Sequence, residues 1–327
     1  MTEIKFDILG IGNAIVDVVA RADDVFLSRH DMRKGAMMLV DAATAEQIYA
    51  AMPPGQESSG GSAANTIAVA AALGARVAYL GKVADDQLGG VFAHDMRASG
   101  AHFPSTTLIG GAPTARCLIL VTPDGQRTMN TFLGACVTLS EADVDDALVA
   151  ASAVTYLEGY LFDPPAAQAA FRKAAAAAHA AGHQVALSLS DAFCVDRHRA
   201  AFRDLVAGHV DILFANETEI TSLYETNTWD EAAERARADV ALAVLTRGEA
   251  GSTILRGAET VTVAAQPTKV VDTTGAGDAY AAGFLAALTA GKPLAICGRY
   301  ASIAAAEIIG HYGARPEADL KALVAAG

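Results

Sequence analysis

Residues 272–278 read Asp272-Thr273-Thr274-Gly275-Ala276-Gly277-Asp278 and run straight into an apolar stretch, Ala279 to Leu288, that predicts a helix. The first turn of a helix leaves backbone N–H groups unpaired and carries the positive end of the helix dipole. Gly275 and Gly277 let an anion approach that backbone closely. Asp278 therefore places a carboxylate beside a site that attracts negative charge. This pattern suits a base aimed at a hydroxyl, next to a hole formed by Gly275, Ala276 and Gly277 for a phosphoryl group. Taken alone, the same letters also describe a capped helix preceded by two turn glycines, so the rest of the chain has to decide.

Moving outward, the 327 residues are 52% hydrophobic, enough for a large core, and fit one large domain or two at about 100–200 residues each. A net charge of −13 argues against a broad surface for nucleic acid but leaves room for a local phosphate pocket. Cys117, Cys136, Cys194 and Cys297 are scattered without a C-x-x-C pair, which predicts reduced thiols in a cytoplasmic protein rather than a zinc site or disulfide framework. No signal peptide is visible, and no uncharged apolar run is long enough to cross a membrane.

Short β-branched runs alternate with helical patterns. Strands are expected at Phe6–Gly12, Arg76–Leu80, Val154–Leu157, Gln184–Leu189, Val210–Phe214 and Ala241–Thr246. Helices are expected at Ala63–Leu73, Leu88–Ser99, Pro165–Ala181, His198–Ala207, Glu217–Tyr224 and Trp229–Arg237. Such alternation implies an α/β fold whose mostly parallel sheet is covered on both faces, with ligands beyond the carboxyl ends of the strands. Residues 14–41 and 114–132 break the pattern. The second reads as a hairpin, Cys117–Val121 and Arg127–Phe132 around Pro123-Asp124-Gly125. Together they are expected to form a small β-sheet lid over the strand ends; as an alternative they are edge strands of the main sheet.

Several polar clusters fall at those strand ends. Gly60-Gly61-Ser62-Ala63-Ala64-Asn65 opens a helix, with Ser59 or Ser62 as candidate cap; its glycines permit close approach to a hydroxylated ligand and Asn65 offers a donor and an acceptor. Gly10-Ile11-Gly12-Asn13 fails as a dinucleotide fingerprint because Ile15 stands at the third glycine position. Asn13 and Asp17 lie at the lid junction instead, where a carboxylate suits vicinal hydroxyls; Asp17 also reads as a solvated lid residue. Asn216-Glu217-Thr218-Glu219 starts a helix, where acids are common for dipole reasons; Asn216 and Glu219 would otherwise organise hydrated Mg²⁺. Thr246, Arg247, Gly248 and Gly251 form a turn that would give backbone contacts to a nucleotide, with Ser188, Ser190 and Asp191 on a similar rim. Neither a Walker A sequence, a protein-kinase signature set nor a G-x-S-x-G elbow is present.

With Gly60–Asn65, Asn216–Glu219 and Asp272–Asp278 together, the chain resembles the PfkB (ribokinase-like) carbohydrate and nucleoside kinases from about Phe6 to Pro316. Gly12–Asp17, Ser188–Ser190 and Val210–Glu219 are similar to the adenosine kinase branch, as is the placement of Gly35–Asp41. The resemblance implies a three-layer α/β/α kinase domain spanning residues 1–327, with the lid inserted in it. It implies ATP and Mg²⁺, and a small-molecule acceptor, either a ribonucleoside, first of all the 5′-hydroxyl of adenosine, or a free sugar such as ribose or fructose. A non-catalytic metabolite-binding protein is the reading from another class. By resemblance Asp278 is the base; Asn13, Asp17, Gly60, Gly61, Asn65, Met38 and Tyr160 hold the acceptor; Ser190, Asn216, Thr246, Arg247, Gly248, Gly251 and Ser302 face ATP. Tyr160 stands where that branch typically has phenylalanine, and Glu158 where it has a small residue. Asp272, Thr274 and Gly313 match a K⁺ site of the ribokinase branch, from which His311 and Glu317 depart. The lid edge is compatible with a monomer or a homodimer.

Overall fold

A computed structural model describes residues 3–104 and 107–326. Its strands are β1 (Phe6–Ile11), β2 (Ile15–Arg21), β3 (Met37–Leu39), β4 (Gln56–Gly60), β5 (Val77–Leu80), β6 (Ala115–Val121), β7 (Arg127–Phe132), β8 (Ser152–Glu158), β9 (Gln184–Ser188), β10 (Ile212–Asn216), β11 (Leu242–Thr246), β12 (Ser252–Arg256) and β13 (Glu259–Val263). The large sheet has the order β13-β12-β11-β10-β9-β8-β1-β5. The strands from β11 to β5 pair in parallel, while β12 and β13 add an antiparallel edge.

Successive strand residues point to opposite faces, and both faces here are apolar. Ile8, Val154, Tyr156, Ala186, Ile212 and Phe214 pack with the helices Ser62–Ala72, Ala276–Thr289 and Leu294–Ile308. Leu9, Leu157, Leu187, Leu213 and Ala215 pack on the other side, against Pro165–Ala180, Ala192–His209, Glu217–Tyr224 and Trp229–Asp239. This double burial explains why the strands read as continuous hydrophobic runs, and it gives the expected three-layer α/β/α arrangement. The six expected strands and the helices between them are present, with ends shifted by a few residues. The exception is His198–Ala207, which is the second half of Ala192–His209; His198 has non-helical backbone angles there (φ −129°, ψ 27°) and marks a kink. The antiparallel β12/β13 hairpin and the helix Leu294–Ile308 lie outside the elements expected from sequence. The hairpin strands are short, and the helix is an Ala-rich segment carrying Cys297, Gly298 and Ser302, with little polar–apolar contrast to reveal its period.

The second sheet has the order β3-β7-β6-β2-β4. Its β6/β7 hairpin closes through Thr122 N–H to Gln126 O (3.0 Å), with Gly125 at φ +83°. Residues 14–41 and 114–132 thus form a sheet of their own rather than an edge of the large one. They are joined by β4, antiparallel to β2, from a Ser-rich segment without strand propensity. The helix Ala42–Ala51 packs on this sheet through Ala45 and Ile48. The carboxyl ends of β1, β8, β9, β10 and β11 deliver Gly12–Asn13, Glu158, Ser188–Asp191, Asn216–Glu219 and Thr246–Gly251 to one edge of the molecule, which is where α/β sheets present ligand sites.

Candidate active site

Two helix N-termini meet at Asp278. The helix Ala276–Thr289 begins after Gly275, at φ +78°, and the helix Ser62–Ala72 begins after Gly61, at φ +93°. Neither N-cap has a side chain to spend on its helix, so first-turn N–H groups depend on partners from elsewhere; Ala63 N–H finds Glu158 Oε2 (2.8 Å). Among the described residues, Ala276 N–H reaches Thr273 O (3.2 Å), while those of Gly277 and Asp278 meet no acceptor. A Cβ on Gly275 would lie 2.6 Å from Ala314 Cβ, whereas one on Gly277 would meet nothing within 4 Å. Gly275 is therefore needed by the fold, and Gly277 keeps a surface open. Asp278 accepts from Ser62 Oγ (2.6 Å) and Asn65 Nδ2 (3.1 Å). Ser62 is not the cap of its helix, and neither is Ser59; its hydroxyl orients the carboxylate across the cleft instead. Desolvation raises the Asp278 pKa, opposed by those two hydrogen bonds and by the Arg315 guanidinium.

On the β1 side lie the other residues expected to hold an acceptor. Asn13 is buried, and its Oδ1 has no hydrogen-bond partner among the described residues. An orphaned buried acceptor of this kind is costly unless a ligand hydroxyl donates to it. The Asn13 amide is held by Glu158, whose Oε1 accepts from Asn13 Nδ2 (2.8 Å) and whose Oε2 accepts from Ala63 N–H (2.8 Å) and Asn13 N–H (3.3 Å). Burial pushes Glu158 up to about 7 against these three bonds. Gly12 is required beside it, since a Cβ there would sit 2.2 Å from Glu158 Oε2. Asp17 is raised by burial to about 6; Arg315 and Arg127 pull it down and Asp278 pushes it up. Gly60 makes room for Asp17, because its Cβ would fall 2.4 Å from that carboxyl carbon. A cleft of about 1660 Å³ opens along the small sheet, between β2, β4 and the β6–β7 turn and residues 312–317, lined by Asp17, Ser59, Asn65, Arg127, Thr274 and Arg315 among others.

The β10–β11 side carries the residues expected to face a nucleotide. Asn216 and Thr246 are register partners. Asn216 and Glu219 form a reciprocal capping box: Asn216 Oδ1 accepts from Glu219 N–H (2.9 Å), and Glu219 accepts from the Asn216 backbone (2.9 Å) and side chain (2.6 Å). Burial raises Glu219 to about 7, and the Asp191 and Asp278 carboxylates add to the rise. Glu219, with the Asn216 side chain beside it, is the acidic group here that would hold Mg²⁺. Since no metal-binding group of three acidic or thiol or imidazole residues occurs among the described residues, water and phosphate oxygens would complete its shell. Ser190 has φ +67°, Gly248 and Gly251 have φ +53° and +82°, and Arg247 stacks over Trp229 at 4.7 Å. Ser302 is occupied by the backbone, accepting from Gln266 N–H (2.8 Å) and donating to Ala264 O (3.1 Å).

Asp272, Thr274 and Gly313 are also brought together, and the Asp272 side chain is already engaged by hydrogen bonds. Asp272 Oδ1 accepts from Thr274 N–H (3.0 Å) and Oγ (2.7 Å); Oδ2 accepts from Gly313 N–H (3.2 Å) and pairs with the Arg127 guanidinium, which also donates to Thr274 Oγ (3.1 Å). Both side-chain oxygens of Asp272 thus already accept from N–H and O–H donors.

Of the apolar residues expected over the acceptor, Met38 lies with Met37 and Leu39 on the edge strand β3, 40% exposed, and is not on the cleft wall. Tyr160 is 41% exposed; desolvation, then the nearby Asp191 and Asp278 carboxylates, push its hydroxyl pKa upward. Arg127 and Arg315 were not singled out in the sequence. Arg315 donates to Ala64 O (2.9 Å), Ser59 O (2.7 Å) and Ser59 Oγ (2.9 Å), tying the segment after Gly313 to β4 and the helix it leads into. The signal available was a basic residue adjoining each glycine-containing turn, Gly125-Gln126-Arg127 and Gly313-Ala314-Arg315.

Residues 36–320 match the family described as pfkB family carbohydrate kinase. An adenosine kinase structure from Sinorhizobium meliloti is 53% identical, covers 98% of this chain and 99% of its own, and superposes with a TM-score of 0.90. A probable sugar kinase from Rhizobium etli CFN 42 is 48% identical over 100% of this chain and 99% of its own, also at 0.90. Adenosine kinase 2 of Arabidopsis thaliana is 27% identical, covering 90% of this chain and 92% of the relative.

Proposed function

Because the chain belongs to the pfkB carbohydrate kinase family and is thereby a phosphotransferase with an alcohol acceptor, we propose that it transfers the γ-phosphoryl group of ATP to the 5′-hydroxyl of a ribonucleoside, adenosine first. One observation carries the chemistry: Asp278 is held by Ser62 and Asn65 at the mouth of a helix whose Gly277 and Asp278 N–H groups meet no acceptor among the described residues. The acceptor O–H donates to Asp278, its proton passes to the carboxylate, the oxygen bonds to the γ-phosphorus, and the bond from that phosphorus to the bridging oxygen of ADP breaks. The transition state of such transfers is largely dissociative, so a carboxylate suffices as base and most of the work is placement and charge stabilisation. The free N–H groups take the charge of the moving group. Mg²⁺, when bound near Asn216 and Glu219, neutralises phosphate charge. Asp17 and the orphaned Asn13 Oδ1 suit vicinal ribose hydroxyls. Residues 14–41 and 114–132, with β4, act as a lid that excludes water from ATP.

The nucleoside assignment is supported by the 53% identity to the Sinorhizobium meliloti adenosine kinase. A free-sugar acceptor is the second reading, favoured by Met37, Met38 and Leu39 standing on an exposed edge rather than over the cleft. ATP consumption against a panel of nucleosides and sugars, with the product's phosphate position located by NMR, separates the two. Adenosine giving the highest kcat/KM supports the proposal; preference for a free sugar moves the assignment to the second reading; inertness towards the whole panel removes both.

A further inference from the structure

Asp272 opens the loop that becomes the anion hole, and its carboxylate is saturated. A carboxylate offers about four lone-pair directions, and Asp272 uses them on Thr274 N–H, Thr274 Oγ, Gly313 N–H and Arg127. Burial alone would push its pKa up; the Thr274 and Gly313 hydrogen bonds and Arg127 hold it below the usual carboxylate value, so it is anionic. The pair is nearly dry, with 13% of the Arg127 side chain and 8% of Asp272 exposed. Hard cations bind through oxygen, and backbone N–H groups pointing at Asp272 offer none.

We infer that Arg127, with the small sheet docked, supplies to Asp272 from within the chain the single positive charge that a monovalent cation would otherwise bring. The consequence follows from which element carries it. Arg127 is the first residue of β7 in the small sheet, while Asp272 and Thr274 belong to the loop that positions Gly275–Asp278. A diffusible ion would fix that loop whatever the lid does. An arginine fixes it only when the small sheet is docked. Arg127 is thus a positioning residue that couples lid docking to the order of the anion hole, through Thr274 Oγ, which Arg127 and Asp272 share. The coupling to turnover rests on the phosphoryl-transfer reading; the cation exclusion does not.

The test has one arm free of substrate. Titration of the whole protein with Tl⁺, observed by thallium NMR, and thermal unfolding in KCl against choline chloride at equal ionic strength report cation binding directly. Wild type is expected to show neither Tl⁺ binding nor a K⁺-specific rise in Tm; Arg127→Ala, with Asp272 Oδ2 and Thr274 Oγ released, is expected to gain both. In the kinetic arm, wild-type turnover is expected to be the same in K⁺ and Na⁺. Arg127→Ala is expected to fall at least tenfold and to recover several-fold with K⁺ or with millimolar guanidinium, while Arg127→Lys stays indifferent to K⁺. A merely structural arginine would not produce cation-selective rescue. Tl⁺ binding by wild type, K⁺ activation of wild type, or an Arg127→Ala protein that no cation rescues would each overturn the inference. If Arg127→Ala does not fold, the wild-type titration decides alone. If wild type phosphorylates nothing, the proposed function falls and the cation arm still stands or fails on its own.

Discussion

A carboxylate base has to be dry enough to act on a hydroxyl and wet or well-bonded enough to stay ionised. In the role proposed for it, Asp278 meets both demands through opposing contributions: burial raises its pKa, while Ser62, Asn65 and Arg315 favour the anion. Asp278→Asn should retain acceptor binding, because the amide occupies the same space, while lowering kcat by about 10²-fold or more, at the lower end of general-base magnitudes. Steady-state kinetics with calorimetric acceptor binding would check this, and near-normal turnover would refute the assignment. Asp17 makes a different prediction because its pKa is raised to about 6. As pH falls through that value Asp17 protonates and ceases to accept from ligand hydroxyls, so KM for the acceptor should climb below pH 6 with little change in kcat. Asp17→Asn should remove that pH dependence and raise KM at pH 8 by about 10-fold or more, the scale of a lost hydrogen bond to a charged group. At this scale the sequence was legible where short motifs concentrate chemistry, as in Asp272–Asp278. It was illegible where a role depends on a distant partner: nothing local to Arg127 announces Asp272, and nothing near Glu158 announces Ala63.

Among the elements, the two glycine-led helix starts invite a paired experiment. Gly61 has φ +93° and its Cβ would fall 2.2 Å from Asn13 O, so Gly61→Ala should destabilise the protein by about 3 kcal/mol, within the range of backbone strain and clash. Gly277 sits inside a helical first turn with nothing within 4 Å of its missing Cβ. Gly277→Ala should leave stability unchanged or raise it by up to about 1 kcal/mol while depressing kcat, because the methyl group intrudes on the proposed anion hole. Urea unfolding and turnover, measured on both variants, check this; a destabilised Gly277→Ala protein with normal turnover would contradict it. The sequence revealed these helices through their apolar runs and glycine starts. It did not reveal β4, because Gln56–Gly60 is held in the sheet by its pairing with β2 and by Ser59 N–H donating to Asp95 (2.8 Å), a tertiary cause with no local propensity behind it.

For the molecule as a whole, buried acids set the response to pH. Glu158 and Glu219 both have folded pKa values raised to about 7 from 4.5. A raised folded pKa means the native state holds the proton more tightly than the unfolded chain, so the contribution is fully present below about pH 4.5 and is lost as pH rises through about 7. Tm should therefore decline between pH 5 and 7.5, and Glu158→Gln should flatten part of that decline; an unchanged slope in the variant would show that Glu158 ionises freely in the fold. The architecture at this scale was the most legible part of the chain, since strands buried on both faces leave continuous apolar runs that no surface can tolerate. The convergence of the site was less so, because it depends on which strand ends become neighbours.

The reach of Arg315 bears on how the protein is made. Its hydrogen bonds to Ala64 O and Ser59 O span 251 and 256 residues of chain. During synthesis, the Asp17, Ser59 and Asn65 wall emerges from the ribosome long before the guanidinium that closes it. Until Arg315 has been translated, that wall lacks the hydrogen bonds that tie it to the end of the chain, however complete the first strands are. The last contacts made in time are thus among those that complete the cleft.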